Sequence, residues 1–252
     1  KDQLQLLSFY DTLTPQQQEN LLAQIEGIDW SLLDVLKTHE TVNARGTFAP
    51  LSAMELSQID ANRAHLEEVG LQAIREGKVA AVLLAGGQGT RLGFDKPKGM
   101  YNIGVTRELY IFECLINNVM EIVKKAGAWI PFYIMTSDKN YDDTTAFLKE
   151  KNYFGYNAEY IHFFKQEMAP SVDYNGKLLM EAPDHLSLSP NGNGGWFSSL
   201  CRYGYDKQMK EAGVEWLTAF AVDNVLQRIN DPAFVGAVID SGCDCGGMVV
   251  RK

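Results

Sequence analysis

Val79-Ala80-Ala81-Val82-Leu83-Leu84-Ala85-Gly86-Gly87-Gln88-Gly89-Thr90-Arg91-Leu92-Gly93 runs from a continuously apolar stretch straight into a glycine-rich one. Apolar residues without polar alternation mark a strand buried on both faces, and such strands belong to parallel sheets covered by helices on either side. The pattern downstream agrees. Ile111, Phe112, Leu115, Ile116, Val119, Ile122 and Val123 recur at helical spacing, and Gly127 stands where a helix C-terminus favours a left-handed residue. A strand is predicted at 130–136, a helix near 142–151, a strand at 160–164, a helix over 196–211 and a strand at 214–222. Alternating strands and helices predict an α/β fold with a doubly wound, mostly parallel sheet over residues 79–252.

Residues 1–78 read differently, as a helical and polar N-terminal segment. Thr14-Pro15-Gln16-Gln17 supplies an N-cap, a proline at the first helical position and a capping-box glutamine, after which Leu21, Leu22 and Ile25 share one face. Further helical pattern falls around 30–36 and 54–76, with a loop-like stretch at 43–50 between. Asp173-Tyr174-Asn175-Gly176 predicts a hairpin tip, because Asn-Gly accepts the positive φ angles such turns need. Met248-Val249-Val250 has the composition of another strand, so the pattern predicts a protein that continues past Lys252 and a nucleotide-binding domain incomplete at its C-terminal side.

Of the 252 residues, 46% are hydrophobic and 22% charged, enough apolar material for one large core or two modest ones. The net charge of -9 argues against electrostatic binding to nucleic acid or to an anionic membrane, both of which require a surplus of Lys and Arg. Any phosphate chemistry therefore needs locally placed cations. Apolar runs such as 79–85 are far too short to span a bilayer, and the expected setting is cytoplasmic. Cys243 and Cys245 are separated by one residue where paired zinc ligands usually have at least two, so buried or idle thiols are the expectation for all four cysteines.

The glycine loop follows the first strand at the carboxyl edge, where open α/β sheets bind ligands. Gly86, Gly87 and Gly89 leave the backbone bare enough to approach an anionic or planar group, making the loop a phosphate-cradle candidate. Arg91 can fork two donors onto phosphate oxygens, and Lys98, in Lys96-Pro97-Lys98-Gly99, can bring a second cation. The dinucleotide fingerprint fails because Leu92 stands where its last glycine is needed, and a P-loop fails for want of Gly-Lys-Ser or Gly-Lys-Thr.

Taken together, 84–93 and Pro97-Lys98-Gly99-Met100-Tyr101 resemble the signature of the UDP-sugar pyrophosphorylases, with Gln88 and Arg91 closest to the UDP-N-acetylhexosamine type. The resemblance covers nearly all of 79–252 and extends to the helical segment before it. It implies the nucleotide-diphospho-sugar transferase (Rossmann-like) fold and a uridylyltransferase joining UTP to a sugar 1-phosphate, most closely N-acetylglucosamine 1-phosphate, with release of pyrophosphate. Leu84, Ala85, Gly86, Gly87, Gln88, Gly89 and Thr90 then become nucleotide contacts, with Arg91 on the β- and γ-phosphates and Lys98 on the α-phosphate.

The same resemblance makes Gln166, which follows an apolar strand, the reader of uracil; without it a solvated loop residue would be the ordinary expectation. Pro190-Asn191-Gly192-Asn193-Gly194-Gly195 matches the family's Pro-x-Gly-Asn-Gly-Gly, implying Gly192 near the uridine and Asn193 and Gly194 near the sugar. Asp223, after the strand at 214–222, is the implied contact for Mg²⁺, whose shell commonly combines one or two carboxylates with phosphate and water. Two alternatives stand beside this reading: the same transfer to glucose 1-phosphate, and a nucleotide-sensing module without catalysis. The oligomeric state is not legible.

Overall fold

A computed structural model describes residues 2–31, 47 and 53–250. Along the chain run α1 (Pro15–Glu26), α2 (Leu56–Arg75), β1 (Val79–Leu84), α3 (Ile111–Ala126), β2 (Phe132–Thr136), α4 (Tyr141–Glu150) and β3 (Ile161–Lys165). They are followed by four short strands, β4 (Met168–Pro170), β5 (Met180–Ala182), β6 (His185–Leu186) and β7 (Leu188–Pro190). Last come α5 (Trp196–Arg202), α6 (Tyr205–Glu211), β8 (Trp216–Ala221) and α7 (Pro232–Asp240).

The main sheet has the order β3-β2-β1-β8 and every pairing in it is parallel, with Leu84 opposite both Met135 of β2 and Ala221 of β8. β1 is buried on both faces, as its unbroken apolar run requires. Val79, Ala81 and Leu83 enter a core with Leu71 and Ile74 of α2, Phe112, Leu115 and Val119 of α3, Leu148 of α4 and Val235 of α7. Ala80 and Val82 point the other way, into a smaller core with Leu200 of α5 and Met209 of α6. The chain thus winds from β1 to β3 over one face and returns over the other to β8, beyond β1. The direction reverses between β1 and β8, so the topological switch point lies at their carboxyl ends.

α3 ends at Gly127 with φ of 72°, the left-handed residue its sequence predicts. The single helix expected over 196–211 is instead two, because Gly204 adopts φ of 74° and a left-handed residue cannot continue an α-helix. Met248, Val249 and Val250 are exposed and form no strand, since a β-branched run becomes one only beside a partner. The helix expected around 30–36 and the loop at 43–50 lie almost entirely outside the described residues.

The compact units do not divide at 78/79. One comprises Ser52–Glu167 with Gly192–Lys252, and the other Lys1–Leu51 with Met168–Asn191. α2 goes with the sheet because Gly70 and Gly236 let it meet α7 backbone to backbone: a β-carbon on Gly236 would stand 1.8 Å from the Leu66 carbonyl oxygen. In the other unit α1 has the expected capping box between Thr14 and Gln17. Leu6, Leu21 and Ile28 pack there with Leu178 and Leu186, around the ribbons β4–β7 and β5–β6. The predicted hairpin tip forms, with Gly176 N–H donating to the Asp173 carbonyl at 3.0 Å and Gly176 at φ of 75°.

Candidate active site

The glycine loop leaves β1 at the switch point and is held from below by Asn140. This asparagine is fully buried; its Nδ2 donates to the Ala85 carbonyl at 3.0 Å and reaches the Gly87 carbonyl at 3.5 Å, while its Oδ1 accepts from Ser137 N–H at 2.7 Å. With those carbonyls tied inward, the N–H groups of Gly86, Gly87 and Gln88 have no protein acceptor among the described residues. Bare N–H groups at the end of a buried strand suit an anion.

The chain then doubles back. Gly89 N–H donates to the Lys96 carbonyl at 2.9 Å and Lys98 N–H to the Gly87 carbonyl at 3.2 Å, which brings the Lys98 side chain over the loop. Its ammonium reaches Asp223 Oδ1 at 2.5 Å. Asp223 is delivered by β8, whose last pairing is the Val222 N–H to the Leu84 carbonyl at 3.2 Å. A cation and a carboxylate therefore face each other across the carboxyl ends of adjacent strands. Lys96 is turned away, paired with Asp143 at 3.0 Å. Arg91 and Thr90 lie exposed on a short 3-10 turn, and Arg91 makes no ion pair among the described residues, so the structure does not gather them with Lys98.

Gln166 extends β3 by one residue through its N–H bond to the Thr136 carbonyl, 2.8 Å long. The residue is 7% exposed; its carboxamide makes no hydrogen bond among the described residues, and its polar atoms are not among the fully buried ones left without a partner, so solvent or a ligand can reach them. An amide that no protein group engages keeps its donors and acceptor open to a ligand. It lies directly against Gly86, where a β-carbon would come within 2.7 Å of Gln166 Nε2, so residue 86 must be glycine for the amide to sit there. Gln88 Oε1, by contrast, is fully buried and has no hydrogen-bond partner among the described residues. Gly192, at φ of 76°, opens a turn through Asn193 and Gly194 that ends on α5; all three are exposed.

Gly86, Gly87, Lys98, Gln166 and Asp223 are thus assembled from segments far apart in the chain. Two supporting residues were not anticipated. Asn140 stands where an N-cap would be expected before α4, yet its amide serves the glycine loop and makes no cap. Ser199 is buried within α5 and carried no motif signal. A cleft of about 390 Å³ lies elsewhere, by the amino ends of β1 and β8. Its one lysine, Lys78, is paired with Glu76 at 3.1 Å and with Glu215 at 3.6 Å.

A parallel sheet wound in two directions, with an open glycine loop and a lysine–carboxylate pair at its switch point, defines a doubly wound α/β protein with a candidate ligand site at the carboxyl edge. The chain belongs to the UTP–glucose-1-phosphate uridylyltransferase family, whose model matches residues 20–252. It is 35% identical to the UDP-N-acetylglucosamine pyrophosphorylase of Saccharomyces cerevisiae, over 99% of this chain and 56% of that protein. With UDP-N-acetylglucosamine diphosphorylase 2 of Arabidopsis thaliana it shares 34% identity over 98% of this chain and 53% of the other. Among solved structures, the UDP-N-acetylglucosamine pyrophosphorylase of Trypanosoma brucei in complex with inhibitor superposes with a TM-score of 0.80 at 28% identity, covering 96% of this chain and 53% of that one. The chain spans about half the length of the curated relatives it matches. No helix among the described residues is long and apolar enough to cross a membrane.

Proposed function

We propose that this chain carries the nucleotide-binding part of a cytoplasmic uridylyltransferase that forms a UDP-sugar and pyrophosphate from UTP and a sugar 1-phosphate, with N-acetylglucosamine 1-phosphate as the sugar substrate. The observation that carries the reading is the Lys98–Asp223 contact over the bare glycine loop, since it puts a fixed cation and a hard carboxylate where a triphosphate would enter. The unpartnered Gln166 amide, one donor and one acceptor in a plane, suits the edge of uracil. The names of the relatives support the choice of sugar.

In this reading the acceptor phosphate, already anionic, attacks the α-phosphorus of UTP, and the bond to the departing pyrophosphate breaks. No side-chain nucleophile is needed, so the protein contributes position and charge. Lys98 holds the α-phosphate through transfer. Arg91 comes onto the β- and γ-phosphates from its exposed turn. Gly192, Asn193 and Gly194 face the ribose and the sugar.

The donor set fits Mg²⁺. Asp223 is an exposed, hard oxygen ligand of the kind that Mg²⁺ combines with phosphate and water. Asp223 would hold the ion, which when bound neutralises charge on the phosphate oxygens.

Incubating the protein with UTP and either N-acetylglucosamine 1-phosphate or glucose 1-phosphate, and resolving the UDP-sugar formed, tests the proposal. Glucose 1-phosphate is the second reading, favoured by the family's description. UTP binding by the full-length protein without pyrophosphate release with either sugar phosphate would leave only a nucleotide-sensing module.

A further inference from the structure

We infer that Ser199 is a positioning residue for base selection, locking the orientation of Gln166 and tying it to the glycine turn at 192–195. The inference rests on the reading of Gln166 as the uracil contact. The direction in which a side chain leaves the backbone, its Cα–Cβ bond, follows from the two peptide planes on either side of its Cα. For Gln166 both are pinned. The preceding plane is fixed by the Gln166 N–H bond to Thr136 O at 2.8 Å. The following plane is fixed by the Glu167 N–H, which donates to Ser199 Oγ at 2.9 Å.

Ser199 is 1% exposed, and its hydroxyl proton goes to the Gly195 carbonyl at 2.8 Å. Donation to the carbonyl four residues back is common for helical serines and by itself means little. Acceptance from Glu167 is the unusual half, since it joins α5 to the end of β3. The carboxylate of Glu167 lies at the same joint: Arg202 Nε is 2.6 Å from its Oε1, an ion pair without hydrogen-bond alignment, and Ser198 Oγ, 3.0 Å from the Gly195 carbonyl, is 3.2 Å from its Oε2. One buried hydroxyl thus connects the peptide group that follows Gln166 with Gly195, the last residue of the turn that begins at Gly192. Gly86, against which the amide packs, limits it from the other side.

The test is UTP against CTP, read as the ratio of kcat/KM in nucleotidyl transfer and of binding by calorimetry, for Ser199→Ala, Gln166→Ala and the double variant. Ser199→Ala is expected to lower the UTP preference about five-fold or more, acting mainly through KM, and to lower it no further once Gln166 is alanine. A Ser199→Ala enzyme that keeps the wild-type preference overturns the inference, as does an equal loss in both backgrounds. Should Gln166→Ala itself leave the preference unchanged, the reading of Gln166 fails, and the role of Ser199 in base selection falls with it. Arg202→Gln, at a position 73% exposed, loosens the same joint without disturbing the core and is expected to shift the preference the same way, about two-fold. If Ser199→Ala does not fold, an unchanged preference in Arg202→Gln overturns the inference in its place.

Discussion

Lys98 Nζ stands 2.5 Å from Asp223 Oδ1, joining two residues 125 positions apart across the carboxyl ends of β1 and β8. The pair holds the ammonium at one point before any ligand arrives, which is the condition for electrostatic preorganisation. Lys98→Ala is expected to lower kcat by about 10² to 10³ while UDP still binds. Arg91→Ala should behave differently, weakening UTP more than UDP because the two nucleotides differ by the γ-phosphate. Steady-state kinetics and nucleotide titrations check both, and near-native kcat in Lys98→Ala would remove it from the reaction.

Asp223→Asn should raise the Mg²⁺ concentration for half-maximal activity by at least about ten-fold, since loss of partners further from a metal than its ligands already costs that much. Chelation should abolish turnover in the unmodified protein and be reversed by added Mg²⁺. An unchanged metal requirement in Asp223→Asn would place the ion elsewhere.

Gln166→Ala removes a donor and an acceptor but no charge, so it should erode the preference for UTP over CTP by about 1 to 3 kcal/mol and leave phosphate binding almost intact. Gly86→Ala should produce part of the same loss, because its β-carbon cannot share space with the Gln166 carboxamide 2.7 Å away. Equal losses for UTP and CTP in Gly86→Ala would assign the effect to the loop instead of the base.

Asn140 offers a separation of loop from core. Asn140→Asp keeps an acceptor for Ser137 N–H but can no longer donate to Ala85 and Gly87, whereas Asn140→Ala loses both ends. Asn140→Ala should destabilise the protein by about 1 to 3 kcal/mol in urea unfolding. Asn140→Asp should mainly raise KM for UTP; normal KM there would show that the loop holds its shape without the amide.

His162 gives a pH signature. Its ring stacks on Tyr133, with centroids 4.8 Å apart, and burial lowers its pKa below the usual 6.5. Burial also pushes the Tyr133 phenol up to about 12, so that neighbour is uncharged in the same range. The unfolded chain then binds the proton that the folded protein resists. Stability contributed by His162 is complete above about 6.5 and is lost as pH falls through the depressed folded value. His162→Gln should flatten the decline in urea midpoint between about pH 7 and pH 5. A decline as steep as the wild type's would assign it to other groups.

Some of this molecule was decided by the sequence alone, where the deciding interactions are local or periodic. The unbroken apolar run of β1, the helical spacing of α3 with Gly127 behind it, the Thr14 capping box and the Asp173–Gly176 tip all follow from residues within a few positions of one another. The glycine loop and the Pro97-Lys98-Gly99 segment were legible as motifs, and their spacing sufficed to exclude the dinucleotide and P-loop patterns. What only the tertiary structure decided is everything that depends on which distant segment lies alongside. The sequence could not place Asp223 on Lys98, put Gln166 against Gly86 or spend Asn140 on the loop. Nor could it assign α2 to the sheet and residues 168–191 to the N-terminal helix. Met248-Val249-Val250 makes the same point from the other side. Strand composition describes a side chain's fit to a pleated surface, and whether that surface exists is settled by packing between segments that the local sequence does not contain.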